Sequence, residues 1–129
     1  MKHRKLVLHT DIIIEHLISR KTKDSVMRQA LQRYFCYTTV FNAIEVFSLV
    51  KTKSERTIVE DTMSAIKILG LNAKSAPNYA SLVFGNSLVR MNALVAGLCL
   101  ESKLPILTRK PSEFRKVKGL MVVTPNDIL

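Results

Sequence analysis

An imidazole and a carboxylate, two groups that can bind metals or move protons, lie close together near the start of the chain. The segment LVLHTDIIIEHL, residues 6–17, places His9 and Asp11 two positions apart between apolar runs. If the first run is a β-strand that extends this far, both side chains project to the same side at its carboxyl end. Two structural roles are also open: Asp11 can cap the following helix, and His9 can be a hydrogen-bonded histidine at the edge of a sheet.

A second carboxylate lies in an apolar setting. Glu45 is flanked by Ile44, Val46 and Phe47 in VFNAIEVFSLV. If it is buried, it needs a cation, a metal or several hydrogen-bond donors. The alternative is an exposed glutamate on the polar stripe of a helix.

Two more candidate residues lie in the second half of the chain. Asn92 falls in the early turns of a predicted helix, LVRMNALVAGL, where it can also be an ordinary exposed residue. In LTRKPSEF, Lys110 and Pro111 begin a turn and Glu113 precedes the apolar Phe114. Each of these signals is weak when taken alone.

The elements that must position these residues follow from hydrophobic periodicity. Short apolar strands alternate with helical patterns, which predicts an α/β fold with a parallel sheet. Strands are predicted at Leu6 to Thr10 and within CYTTV, PILT and LMVVT. In such sheets, ligands bind at the carboxyl ends of the strands, where His9 and Asp11 are expected.

The predicted helices are separated by short turns. The first two carry apolar faces with Ile13, Ile14, Leu17 and Ile18, and with Val26, Met27, Ala30, Leu31 and Tyr34. The third begins near Phe41 or Asn42, and the fourth runs from a capping Ser54 to about Leu69, with Gly70 helping to end it. A helical patch starts at Pro77, and a helix capped by Ser87 runs to about Ser102, with Ala93, Ala96 and Gly97 allowing close packing.

The composition favours a basic, nucleic-acid-binding protein of one domain, residues 1–129. Lysine and arginine number 20 against 10 acidic residues, which gives a net charge of +10. Such a charge favours a polyanion such as RNA. The expected nucleic-acid contacts, for which simple solvation is the alternative, are Lys51, Lys53, Arg109, Lys110, Arg115 and Lys116.

The remaining composition argues against several other classes of protein. Cys36 and Cys99 lie in apolar contexts without zinc-ligand spacing, so we expect buried free thiols. No apolar run is long enough for a membrane span, and the first apolar run is too short for a secretory signal. We therefore expect a cytoplasmic protein without membrane association.

Taken in order, these segments resemble the PIN-domain family, the fold of VapC-type toxin ribonucleases. LHTDIIIEHL is similar to the family's strand ending in Asp-Thr-Asn, Asp-Thr-Ser or Asp-Thr-Asp, with His9 replacing the first Asp. TTVFNAIEVF resembles the strand and helix that carry an essential glutamate, here Glu45. RMNALVAGLCLESKLPILTRKPSEF and VKGLMVVTP resemble the closing helix and strands, with Asn92 replacing an Asp and Lys110 replacing an Asn or Asp. The resemblance covers essentially the whole chain.

The resemblance implies a three-layer α/β/α sandwich with a central parallel sheet of about five strands. For an intact member it also implies three or four carboxylates that hold Mg²⁺ or Mn²⁺, which activates water for attack on RNA. The matching positions here are His9, Glu45, Asn92 and Glu113, with Asp11 close by. We take these five as candidate catalytic residues, and Asp11, Glu45 and Glu113 as candidate metal ligands.

The departures from the family pattern leave two hypotheses. Two carboxylates are missing and Lys110 adds a cation, so pairs of Lys110 or His9 with the remaining acids can replace the metal. We favour a noncatalytic, degenerate PIN domain that retains nucleic-acid or partner binding. The alternative is an active Mg²⁺- or Mn²⁺-dependent endoribonuclease that uses Asp11, Glu45 and Glu113.

The resemblance also implies protein partners. An antitoxin-like protein is one, and a second copy of the chain is another. The homodimer is expected to pair through apolar helices near the N-terminus. Its candidate contacts are Ile18, Met27, Leu31 and Tyr34.

Overall fold

A computed structural model describes residues 4–19, 24–85 and 87–128 and shows one parallel sheet. The strands are β1 (Arg4–Leu8), β2 (Tyr34–Thr39), β3 (Lys67–Leu69), β4 (Ile106–Leu107) and β5 (Val122–Val123). They lie in the order β3-β2-β1-β4-β5, and every neighbouring pair is parallel. The central strand β1 therefore contacts both β2 and β4.

Helices connect the strands. They are α1 (Thr10–Ser19), α2 (Val26–Arg33), α3 (Val40–Phe47), α4 (Lys53–Met63), α5 (Ala76–Gly85), α6 (Arg90–Ser102), α7 (Pro111–Phe114) and α8 (Pro125–Ile128). A short 3₁₀ helix, Ala73–Ser75, precedes α5. Within the described ranges, no helix combines the length and apolarity needed to cross a membrane.

The side chains of β1 alternate between the two faces of the sheet and contribute to two separate hydrophobic clusters. Leu6 and Leu8 pack with apolar side chains from α1, α2, α3 and α4, whereas Val7 packs with α6 and the segment around α7. Successive side chains of a strand point to opposite faces, so helices cover both faces of the sheet. The predicted three-layer sandwich is confirmed.

The first strand and helix lie slightly earlier than predicted. β1 ends at Leu8, and Thr10 begins α1 instead of closing the strand. The backbone N–H groups of Ile12 and Ile13 donate to the carbonyl of His9, so the chain turns into helix directly after β1. His9 therefore lies at the junction between the two elements.

The prediction of one helix from Ser54 to Leu69 is wrong. Thr52 caps α4 by accepting the N–H of Glu55, and the helix ends at Met63. Residues Lys67–Leu69 form β3, which pairs with β2. The apolar Leu69 fits a helical period locally, but its backbone pairs with β2 in the sheet.

Two other boundaries also differ from the prediction. Ser87 does not cap α6, which begins at Arg90 after Val89 and has no side-chain cap. Tyr34 is not on the second helix, because α2 ends at Arg33 and Tyr34 opens β2.

Met27 is fully buried, so it belongs to the core and is withdrawn as a dimer contact.

The two cysteines behave as predicted. Cys36 and Cys99 are free and buried. Burial raises the pKa of the Cys99 thiol to about 12, so it stays protonated at neutral pH. Neither thiol has the exposed, electropositive setting of a nucleophile.

The close contact between α5 and α6 depends on a glycine. Gly97 on α6 faces the buried ring of Tyr79 on α5, and a Cβ at Gly97 would lie 2.5 Å and 2.6 Å from two ring carbons. The Tyr79 hydroxyl donates to Glu101 Oε1 at 3.0 Å, which holds the ring in place. The ring therefore has little freedom to move away.

We expect Gly97→Ala to destabilise the protein. Overpacking against Tyr79 should outweigh the gain in helix propensity, with a net loss of about 1 kcal/mol or more in unfolding free energy. Urea denaturation measures the change. Gly85→Ala is the matched control, since no atom lies within 4 Å of its Cβ position. Equal stability of Gly97→Ala and Gly85→Ala would contradict this packing argument.

Candidate functional site

The candidate site lies at the carboxyl edge of the sheet. His9 follows β1, Thr39 ends β2 and Thr108 follows β4. All three side chains are buried, with His9 8% exposed and both threonines 0% exposed. Because parallel neighbours end at the same edge, residues distant in sequence meet here.

His9 is the centre of the site. Its Nε2 lies 3.2 Å from Asn92 Oδ1, and its Nδ1 lies 3.3 Å from Asp11 Oδ1 and 3.4 Å from Thr108 Oγ1. The imidazole meets the Phe114 ring edge-on, with centroids 4.9 Å apart. Polar partners on both nitrogens and the Phe114 contact hold the imidazole in place.

Asp11 reaches into the site instead of capping α1. Its Oδ2 accepts hydrogen bonds from the Thr108 hydroxyl and the Arg109 backbone N–H, both at 3.0 Å. Burial acts to raise the pKa of Asp11, but His9, the Arg109 N–H and Thr108 together outweigh it and hold that pKa below its usual value. Asp11 Oδ1 is buried without a hydrogen-bond partner and faces His9.

Asn92 and Glu113 extend the network toward α6 and α7. Asn92 Nδ2 donates to Glu113 Oε2 at 2.9 Å, so Asn92 Oδ1 is left to accept from His9 Nε2. Glu113 Oε1 accepts the Val89 N–H at 2.6 Å. Both carboxylate oxygens of Glu113 therefore accept hydrogen bonds from the protein. Glu113 also accepts the N–H at the start of α6, where the apolar Val89 side chain cannot act as a cap.

Glu45 is half-buried and is held by a separate chain of polar groups. The Thr10 hydroxyl donates to Glu45 Oε1 at 2.6 Å, and Asn42 Nδ2 donates to Thr10 Oγ1 at 2.8 Å. The Thr39 hydroxyl in turn donates to Asn42 Oδ1 at 2.7 Å. Thr10 adjoins His9 in sequence, so this chain borders the His9 network.

Four buried polar residues of this site were not predicted from the sequence: Thr10, Thr39, Asn42 and Thr108. Thr39 and Asn42 form a reciprocal capping box at the start of α3, for which the T-x-x-N spacing of TTVFN was the available signal. Their second role, orienting Thr10, depends on contacts between separate elements.

The acidic side chains do not fit a divalent cation as they are arranged. Among the described residues, no three His, Cys, Asp or Glu side chains form a group that could hold a metal. Asp11 and Glu113 are each bound to N–H donors, and Glu45 to a hydroxyl. Mg²⁺ requires near-octahedral oxygen ligands, which these separated carboxylates do not provide together.

The six predicted nucleic-acid contacts are all exposed: Lys51, Lys53, Arg109, Lys110, Arg115 and Lys116. Arg109 forms an ion pair with Glu15, and Lys116 Nζ lies 3.5 Å from the Ser87 carbonyl. The suggested ion pair of Lys110 with a site acid is absent from the described residues, whereas the His9–Asp11 contact is present.

Comparison with solved structures identifies the fold as that of VapC-type toxins. The chain is similar to the VapBC2 complex from Rickettsia felis bound to promoter DNA, with a TM-score of 0.76 and 17% identity over 93% of this chain and 98% of that chain. It is also similar to VapBC-1 from nontypeable Haemophilus influenzae, with a TM-score of 0.74 and 16% identity over 95% and 98%. For a toxin-antitoxin complex from Klebsiella pneumoniae, the TM-score is 0.72 with 20% identity over 93% and 97%. No family profile and no curated protein sequence matches the chain.

We expect Asp11→Asn to destabilise the protein at neutral pH. Losing charge-assisted hydrogen bonds should cost about 1–3 kcal/mol. Because the folded pKa of Asp11 lies below the unfolded value, its contribution is present above the unfolded pKa and is lost as pH falls through the folded pKa. The gap between the native protein and the variant should therefore narrow below about pH 4.

Chemical denaturation between neutral and acidic pH measures this gap. Asp61→Asn on the exposed side of α4 is the control and should show no comparable gap. A constant difference between Asp11→Asn and the native protein across the acidic range would rule out the proposed electrostatic role.

Proposed function

We propose that this protein is related to the toxin ribonucleases but has a degenerate metal site, and that it retains nucleic-acid or partner binding. The observation that carries the proposal is the His9–Asn92 contact at 3.2 Å, formed by the two residues that stand where the resembling family has aspartates. Those residues bond each other and, through Asn92, engage Glu113.

The electrostatics also support a site that is stable without metal. A cluster of carboxylates repels itself unless a cation neutralises it. Here an amide and an imidazole separate Glu113 from Asp11, and each of these two acids receives N–H donors from the backbone. The network therefore lowers the repulsion that a metal would otherwise have to offset.

One observation favours the active alternative. Asp11 Oδ1 is buried without a hydrogen-bond partner, which is expected of a metal-ligand oxygen when its metal is not bound. An Mg²⁺- or Mn²⁺-dependent endoribonuclease would need Asp11, Glu45 and Glu113 to converge on that cation. Metal titration of the native protein decides between the two functions.

The exposed cations at the carboxyl edge support a role in RNA binding. Lys110 precedes α7 and Arg115 follows it, on the same side of the sheet as the His9 network. Cations there can neutralise backbone phosphates whether or not cleavage occurs. We therefore assign Lys110 and Arg115, with the neighbouring Arg109 and Lys116, to a phosphate-binding rim. Lys51 and Lys53, between α3 and the first residue of α4, are proposed as further phosphate contacts.

An antitoxin-like protein is the partner that we propose. The similar structures described above are toxin-antitoxin complexes. An apolar groove of about 430 Å³ between α1, α3 and α4 suits an apolar segment of such a partner, with Ile18 80% and Leu49 57% exposed. The homodimer expected from the sequence also remains a proposal, without Met27 among its contacts.

We predict that His9→Asp/Asn92→Asp raises divalent-metal affinity. The native protein should bind Mn²⁺ weakly by calorimetry and should not cleave RNA with Mg²⁺ or Mn²⁺. The double variant should be less stable in chelator because its carboxylates repel one another. Metal at 100-fold its dissociation constant should then restore about 2.7 kcal/mol.

His9→Asn is the matched control, because it removes the imidazole without adding a carboxylate. The His9→Asn variant should be less stable than the native protein, and added metal should not stabilise it. Tight Mn²⁺ binding and metal-dependent cleavage by the native protein would overturn the degenerate-site proposal in favour of the active ribonuclease.

We further predict salt-sensitive RNA binding that depends on the rim. Each phosphate contact on a single strand contributes about 0.7 to the slope of log affinity against log salt, so Lys110→Gln/Arg115→Gln should lower its magnitude by about 1.4. Fluorescence anisotropy at several salt concentrations gives the slope. Lys74→Gln removes an exposed charge on the 3₁₀ helix outside the rim and should leave the slope nearly unchanged. The rim is wrong if Lys110→Gln/Arg115→Gln changes the slope no more than Lys74→Gln does.

A further inference from the structure

The opposite edge of the sheet, where the strands begin, carries a cleft that the proposed function does not use. Arg4, Lys5, Tyr34 and Lys103 contribute to the lining of this cleft, which has a volume of about 490 Å³. Arg4 opens β1, whereas His9 follows its end, so the two lie about 16 Å apart along the strand. The cleft is therefore separate from the candidate site.

The cations of this cleft are not used within the described part of the protein. Arg4, Lys5 and Lys103 are exposed, and none forms an ion pair with a carboxylate of the described residues. Asp127 also lines the cleft, but its carboxylate accepts the N–H and hydroxyl of Thr124. The cleft thus has three basic side chains against one acid that is already hydrogen-bonded.

Strand register places an aromatic residue beside two of these cations. Arg4 pairs with Tyr34 and Lys5 pairs with Phe35 in the first two rungs between β1 and β2. Phe35 is 51% exposed, although large aromatic side chains are normally covered. Tyr34 and Phe35 also line a second, adjoining cleft of about 280 Å³ that contains Lys67. Consecutive rungs point to opposite faces of the sheet, so at this edge Arg4 lies beside Tyr34 on one face and Lys5 lies beside Phe35 on the other.

The backbone of Lys103 adds an independent observation. Lys103 ends α6 with φ 57° and ψ 43°, the left-handed conformation that glycine adopts most easily. It is the one non-glycine residue with positive φ in the described part of the chain. A lysine in this conformation makes the folded chain less stable than a glycine would, but its side chain adds a cation to the cleft.

From these observations we infer that the edge formed by Arg4, Lys5, Tyr34, Phe35 and Lys103 binds single-stranded nucleic acid. The cations neutralise successive phosphates, and the exposed Phe35 ring stacks on a base beside the half-buried Tyr34 ring. Cations combined with stacking rings are what single-strand binding sites use. An acidic polypeptide would use the cations but would leave the rings without stacking partners. The inference does not depend on whether the His9 site holds metal or cleaves RNA.

Lys103→Gly separates binding from folding. Glycine should raise the melting temperature by a few degrees, because it relieves the left-handed backbone. The same change should weaken binding of a fluorescein-labelled oligouridylate of about twelve nucleotides several-fold, since it removes one phosphate contact. Loss of binding by a more stable protein cannot be attributed to misfolding.

Lys5→Gln/Phe35→Ala tests the paired cation and ring. We expect about a tenfold or greater loss of affinity for the oligouridylate at low salt. Lys74→Gln, at an exposed lysine on the 3₁₀ helix, is the charge control and should change affinity less than twofold. An abasic oligomer of equal charge should bind the native protein more weakly but should be little affected by Phe35→Ala.

Three results would overturn the inference. The first is unchanged oligouridylate binding in both Lys103→Gly and Lys5→Gln/Phe35→Ala. The second is complete dependence of binding on Lys110 and Arg115, which would assign all RNA contact to the rim and leave the proposed function intact. The third is displacement of the oligouridylate by polyglutamate as efficiently as by unlabelled oligouridylate, which would identify an acidic polypeptide as the ligand.

Discussion

Burial of polar side chains at the carboxyl edge of β1 is the constraint on which the rest of the site depends. A buried donor or acceptor without a partner costs about 1–3 kcal/mol, so His9, Thr39, Asn42 and Thr108 must satisfy one another or the neighbouring backbone. His9 does so by linking Asn92 on α6 with Asp11 on α1. These links connect helices on opposite faces of the sheet through its central strand. Among the described residues, Asp11 Oδ1 is the one buried side-chain atom without a hydrogen bond, although it lies 3.3 Å from His9 Nδ1.

The same network shows how an amide and an imidazole occupy the space between two carboxylates. Carboxylates tolerate close approach when a cation lies between them, whereas an amide and an imidazole can bridge them by hydrogen bonds. The side-chain amide of Asn92 donates a hydrogen bond to Glu113 and accepts one from His9. Glu45 keeps its own support through Thr10, Asn42 and Thr39. Asp11, Glu113 and Glu45 are thus each held by hydrogen bonds to other groups of the protein.

Charge is distributed over both ends of the sheet. Lys110 and Arg115 flank α7 near the carboxyl edge, whereas Arg4, Lys5 and Lys103 surround the cleft at the amino edge. A net charge of +10 on 129 residues is more than solubility requires, and the two proposed binding surfaces would account for part of it. A nucleic acid strand that contacts both surfaces would gain affinity from the second contact without any new chemistry at the His9 site.

Periodicity was enough to predict an α/β fold with a parallel sheet, because alternating strands and helices are local patterns. The three-layer sandwich and the five candidate site residues came from the resemblance to the PIN-domain family. The local pattern wrongly predicted a helix at Lys67–Leu69, which pairs with β2 instead. It also wrongly predicted Ser87 as a helix cap, because the Val89 N–H donates to Glu113 and α6 has no side-chain cap. It also could not decide whether Asp11 capped α1. Only the tertiary structure determined that Asp11 accepts from Thr108 and Arg109, and that His9 meets Asn92. Those partners lie 83 to 98 positions apart in the chain, so their contacts depend on where β1, β4 and α6 come together and leave no signal in the local sequence.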